Sequence, residues 1–141
     1  MVKWAGWIIA LAGMGHTLGS LVEAAPDHAG TWFDGTWDLG DYPQMSDATV
    51  AWWYTVLSFG PPLLLIGLTV LWLDRRGMTP PLFIPWAMAA WVVVGFVADG
   101  PSPLLVFLVA AGLLLAGAWR ARRRENASPQ AGTAAGARIE S

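Results

Sequence analysis

Trp4-Ala-Gly-Trp7-Ile-Ile-Ala10-Leu-Ala-Gly13-Met-Gly-His16-Thr-Leu-Gly-Ser20-Leu-Val-Glu23 is the stretch whose reading decides the fold. Wound as an α-helix it rises about 1.5 Å per residue, enough to cross a hydrocarbon core of about 30 Å. It places Ala5, Ile9, Ala12, Gly13, His16, Gly19, Ser20 and Glu23 on one stripe. Trp7, Leu11, Met14, Leu18 and Leu21 fall on the opposite side. In lipid, helices meet through small residues that let backbones approach, so the first stripe is expected to face protein and the second lipid. His16 then points inward.

The composition of the 141-residue chain agrees with that reading. Hydrophobic residues make up 55% and charged residues 13%, which sets the chain apart from ordinary soluble domains. With no cysteine there is no disulfide, thiolate metal site or thiol chemistry. Ten tryptophans against two tyrosines match the interfacial preference of amphipathic rings. Lys3 ahead of the apolar run, with Val22-Glu23-Ala24 before Ala25, loosely matches a cleaved signal peptide. The run is longer than a usual signal core, is interrupted by Gly13, Gly15 and His16, and has Glu at the site, so a retained helix is expected.

Outward from the first helix, residues 24 to 47 carry five aspartates, several glycines and prolines, and no Lys or Arg. They read as an acidic external loop. Trp32, Phe33, Trp37 and Tyr42 are too many rings for a free linker, so part of it should lie in the headgroup layer or cap the bundle. Asp47 is expected to cap a second helix over 48 to 73, kinked at Phe59-Gly60-Pro61-Pro62 because two prolines remove backbone donors. Ala51, Tyr54, Thr55, Ser58, Pro62 and Leu65 would share its inward face. Asp74-Arg75-Arg76-Gly77 closes that helix, and Thr79-Pro80-Pro81 opens a third over 82 to 98, with Ala87, Ala89, Ala90 and Gly95 as packing positions. Ser102 as N-cap and Pro103 as first helical residue start a fourth over 103 to 119, which Arg120, Arg122, Arg123 and Arg124 should end. The short connection makes the last two helices antiparallel neighbours. Residues 125 to 141 lack an apolar period and read as a disordered cytoplasmic tail.

The expected fold is therefore all-α, an integral membrane bundle of four transmembrane helices over residues 1 to 124. Every Lys and Arg lies at the N-terminus, in the second connection or after the fourth helix. The positive-inside rule then puts both termini in the cytoplasm, in the cell membrane.

Trp7, Gly13 and His16 in the first helix, the Trp52-Trp53-Tyr54 cluster and a Pro-containing turn before the fourth helix carry a resemblance. Over residues 4 to 119 the chain resembles an uncharacterised family of small bacterial four-helix integral membrane proteins with a Gly-x-x-His first helix. The resemblance supports four helices and implies no activity.

His16 lies about 8 Å inside the outer end of its helix, level with Tyr54 and Thr55. A polar residue at that depth marks a functional or helix-joining position. The candidate intramembrane site is His16 with Tyr54 and Ser58, or with carbonyls freed by Pro61 and Pro62, joined by an interhelical hydrogen bond. Haem ligation lacks a second inward histidine. Asp27, His28, Asp34, Asp38 and Asp41 do not match a calcium loop, so no metal is expected. No nucleophile elbow, zinc-helix motif or phosphate loop is present, and no enzyme activity or cofactor is expected. Too few charges lie outside the membrane edge for nucleic acid. The partners expected are the bilayer and other membrane proteins or a second copy. The leading reading is a non-enzymatic accessory or partner-binding membrane protein. The alternative is a small transporter or lipophilic-ligand binder using His16 and the Pro61-Pro62 kink.

Overall fold

The computed structural model describes residues 1–34, 45–100 and 102–127. All regular structure among them is helical: α1 Val2–Phe33, α2 Asp47–Thr55, α3 Gly60–Arg75, α4 Phe83–Asp99, a 3-10 turn Pro103–Leu105, and α5 Val106–Ala127. Three helical stretches are long and apolar enough to cross a membrane: Val2–Phe33, Asp47–Arg75 taken across its break, and Pro103–Ala127. Phe83–Ala98 is apolar but shorter.

The α1 helix packs chiefly on α3, and glycine is the reason they come so close. A Cβ on Gly13 would sit 2.6 Å from the Gly60 carbonyl oxygen, and one on Gly67 would sit 2.7 Å from the Cα of Ala10. Gly6 meets Leu71 in the same way. The order of these contacts makes the two helices antiparallel with their backbones touching, as small residues allow in lipid. The expected inward stripe is buried at Ala5, Ile9 and Gly13, and Gly6 and Ala10 widen it. Trp7, Leu11, Met14 and Leu18 are exposed. Ala5 and Ile9 meet Leu63 and Val70 of α3, Met88 and Val92 of α4, and Phe107, Ala110 and Leu114 of α5 in one core.

The first helix does not stop at residue 23. Pro26 forfeits one backbone bond, yet the helix runs to Phe33 because Trp32 is anchored: its Nε1 donates to the Ala48 carbonyl at 2.8 Å. The ring also stands edge-on to Trp52 at 5.5 Å. The remainder of the acidic loop, with Trp37, Asp38, Asp41 and Tyr42, lies outside the described residues.

Ser46, not Asp47, is the N-cap of α2, its hydroxyl accepting from the Thr49 amide at 3.3 Å. Asp47 takes the first helical position, where a carboxylate suits the positive end of the helix dipole. The expected kink is a full break at residues 56 to 59. Pro61 and Pro62 fall in the first turn of α3, whose amides have no helical acceptor, so two prolines open a helix there at little loss. The predicted inward face is corrected on both sides of the break, which resets the phase of α3 relative to α2. Thr55 is buried, but Tyr54 is 71% exposed and Leu65 67%.

At the far end of α3 the Met78 amide reaches the Leu73 carbonyl and the Gly77 amide reaches that of Asp74, each at 3.0 Å. This paired closure requires the left-handed conformation that Gly77 adopts at φ 67°. In α4 the buried positions are Pro85, Met88 and Val92, whereas Ala87 and Ala90, expected to pack, are exposed. Ser102 and Pro103 open the last helical stretch as expected, with the Ser102 hydroxyl accepting from the Leu104 amide at 3.2 Å. The arginines do not end α5, which continues to Ala127. Arginine is a good helix former, so charge ends the apolar surface without ending the helix. Residues 128 to 141, most of the expected tail, lie outside the described residues.

Candidate functional site

The helices form an open arc in the order α3, α1, α5, α4, and α3 and α4 have little close backbone packing although they are consecutive in the chain. An apolar crevice sits at this opening, and the ring of His16 stacks on Phe59 of its wall.

His16 is half-buried on α1, and its Nε2 is buried with no hydrogen-bond partner among the described residues. Its ring stacks on Phe59 with centroids 4.1 Å apart and planes 23° from parallel. Phe59 is the N-cap of α3, so the break between α2 and α3 aims the phenyl ring at α1. Gly60 beside it keeps the helices close, since a Cβ there would meet the Thr17 hydroxyl and lie 3.2 Å from the His16 ring. Ring contacts continue from Phe59 to Trp91 of α4 at 5.6 Å and from Trp91 to Phe107 of α5 at 6.0 Å. An aromatic series thus runs through all four packed helices.

The other two predicted site residues do not join His16. The Ser58 hydroxyl donates to the Thr55 carbonyl at 2.8 Å and accepts from the Gly60 amide at 3.3 Å, so it mends the helix break. Tyr54 faces outward. Ring stacking occupies the place where an interhelical hydrogen bond was expected. Phe59 and Trp91 were missed by sequence reasoning. The available signal was an aromatic residue directly before Gly60-Pro61-Pro62, where a new helix start fixes its direction.

The crevice lies between α3 and α4 and holds two cavities of about 280 and 240 Å³ that share Ile66, Ala87 and Met88. Phe59 and Trp91 close one cavity and Phe83 lines the other. Thr69 is the one polar side chain on the walls, and its hydroxyl donates to the Leu65 carbonyl at 2.8 Å. The crevice is therefore dry, and suits an apolar occupant.

At one end of the arc a more polar cavity of about 270 Å³ is bounded by Met1, Asp74, Gly77, Thr79, Arg120 and Arg124. The N-terminus, the α3–α4 turn and the arginine-rich part of α5 thus meet at one end of the molecule.

These features define an all-helical protein with several helices able to span a bilayer. The chain belongs to a family of unknown function, DUF6463, which matches residues 1–121. No curated protein and no solved structure matches the chain.

Proposed function

We propose that the protein is a multi-pass, non-enzymatic membrane protein that receives a transmembrane helix of a partner in the α3–α4 crevice. The observation that carries this reading is the opening itself: consecutive helices stand apart over a dry groove. Its α4 rim presents the small residues Ala87 and Ala90 outward, and small residues are what a second helix needs to approach closely in lipid. Four spans are proposed, with α4 as the fourth. Its 17 residues lie at the short end of what crosses a bilayer. An even number of crossings also returns the N-terminus and Arg120 to the same end. The basic residues gathered there support the cytoplasmic assignment of both termini in the cell membrane.

A photo-crosslinking residue in place of Ala87 should give a discrete protein adduct in cells, while one in place of Val109, exposed on α5, should not. Equal, diffuse labelling at both positions would overturn the reading. A second reading, a lipophilic-ligand binder, is favoured by Phe59, which links His16 to the crevice wall. Purified protein would then carry a bound lipophile that Ala87→Trp excludes.

A further inference from the structure

Beside the crevice on α3, and sharing Thr69 with it, a groove of about 550 Å³ between α1 and α3 is lined by Trp7, Leu68, Thr69, Leu71, Trp72 and Arg75. Leu71 is its buried floor, and the indoles of Trp7 and Trp72 are half-exposed walls. Arg75 is the charged residue among those that line it, in the last turn of α3. Arg76 adds a second cation, its guanidinium carbon 4.2 Å from the centre of the Trp72 ring. Lys3, exposed one helical turn before Trp7, adds a third. No carboxylate lines the groove, and Asp74 borders the separate cavity beside Met1 and Arg120. Neither Arg75 nor Arg76 has an ion-pair partner among the described residues.

We infer that this groove binds one anionic phospholipid of the leaflet at the basic end, its acyl chain along Leu68 and Leu71 between the indoles and its phosphate at Arg75. The inference rests on the membrane-spanning reading and is independent of the partner helix. An apolar trough in lipid accepts any acyl chain, so the trough alone selects nothing. Selection comes from the end of the trough. A guanidinium presents paired N–H donors that match a phosphate, and being weakly hydrated it loses little on leaving water. Arg76 is held over Trp72 by its attraction to the ring face, and Lys3 stands exposed one helical turn from Trp7 on α1. Three cations outweigh Asp74, the chain neighbour of Arg75 that borders the other cavity, and so favour a net negative headgroup over one that carries its own ammonium. The indole N–H groups of Trp7 and Trp72 have no acceptor among the described residues and lie where lipid ester carbonyls sit.

The test is native mass spectrometry of the full-length protein in detergent, titrated with phosphatidylglycerol and, separately, with phosphatidylcholine of the same chains. Phosphatidylglycerol should be retained preferentially at one site. Arg75→Gln should weaken that retention about fivefold, the loss expected for one basic contact at a membrane surface. Leu68→Trp, which fills the trough and leaves the arginines in place, should weaken both lipids. Arg122→Gln on α5 should change neither. Equal retention of the two lipids would overturn the inference, as would an Arg122→Gln loss matching that of Arg75→Gln, which means diffuse attraction. Displacement by millimolar inorganic phosphate would also overturn it, because the acyl trough would then contribute nothing. Carbonate extraction of cell membranes in the same preparation tests membrane insertion separately, so failure of that reading is distinguishable from failure of the lipid site.

Discussion

His16 and Phe59 stack 4.1 Å apart where α1 crosses the break between α2 and α3, and neither ring is held by a hydrogen bond of its own helix. Stacked pairs contribute about 0.5–1.5 kcal/mol beyond their area. His16→Ala and Phe59→Ala should therefore be non-additive in unfolding from mixed micelles, with a coupling in that range. A cycle of His16→Ala with Tyr54→Phe should show none, because Tyr54 faces outward. Additivity in the first cycle would mean that the stack is incidental.

Gly13 and Gly15 lie two residues apart on α1 and should respond oppositely to alanine. A Cβ at Gly13 would press on the Gly60 carbonyl and the Leu64 amide, whereas nothing lies within 4 Å of one at Gly15. Gly13→Ala should destabilise the bundle by about 1–3 kcal/mol, the usual range for overpacking. Gly15→Ala should leave stability unchanged or raise it by up to about 1 kcal/mol through helix propensity. Equal effects would sink the close-approach account of α1 and α3.

The contrast between these glycines also marks what sequence could and could not say. The inward stripe of α1 was legible as far as Gly13, because helical period and residue size both point to it, but Gly19 and Glu23, expected on the same stripe, are exposed. Ser102-Pro103 was legible because its side chain and fixed φ act locally. Leu65 was misplaced because a helical wheel assumes unbroken phase and the break at residues 56 to 59 shifts every later position, whereas Tyr54, ahead of the break, was misplaced because chain neighbours on a helix point about 100° apart and its neighbour Thr55 is the buried one. The extension of α1 to Phe33 was hidden for another reason. It depends on Trp32 meeting Ala48, a contact between distant residues that overrides the local preferences of Pro26 and Gly30. The crevice could not be read at all, since it follows from the order α3, α1, α5, α4 rather than from any one helix.

Topology is open to a direct test. A cysteine replacing Asp34 at the end of α1 should react with an impermeant thiol reagent applied to whole cells, as should one replacing Asp99. A cysteine replacing Arg76 should react only after permeabilisation. The chain has no cysteine of its own, so the background is clean. Labelling of the Arg76 variant alone would invert the orientation.

Trp32 should prove to be the fastening between the C-terminal end of α1 and α2. Trp32 is 7% exposed, its Nε1 donates to the Ala48 carbonyl, and its ring makes a T-shaped contact with Trp52. Trp32→Phe keeps an aromatic ring and removes the hydrogen bond, so a loss of about 1 kcal/mol is expected. Trp32→Ala removes the ring as well and should cost about 3–5 kcal/mol if this end of α1 and α2 unfold together with the core. The Trp32 contact is also separable from the α1–α3 glycine contact, which lies at Gly13 and Gly60. Limited proteolysis decides between the two cases. If Trp32→Ala admits cleavage near residues 35 to 44 while detergent stability is kept, the fastening is local and the bundle stands without it. If stability falls in step with cleavage, α2 is part of the cooperative unit. Unchanged cleavage and unchanged stability in Trp32→Ala would show that the contact between Trp32 and Ala48 holds nothing, and the account of why α1 continues past Pro26 would fail with it.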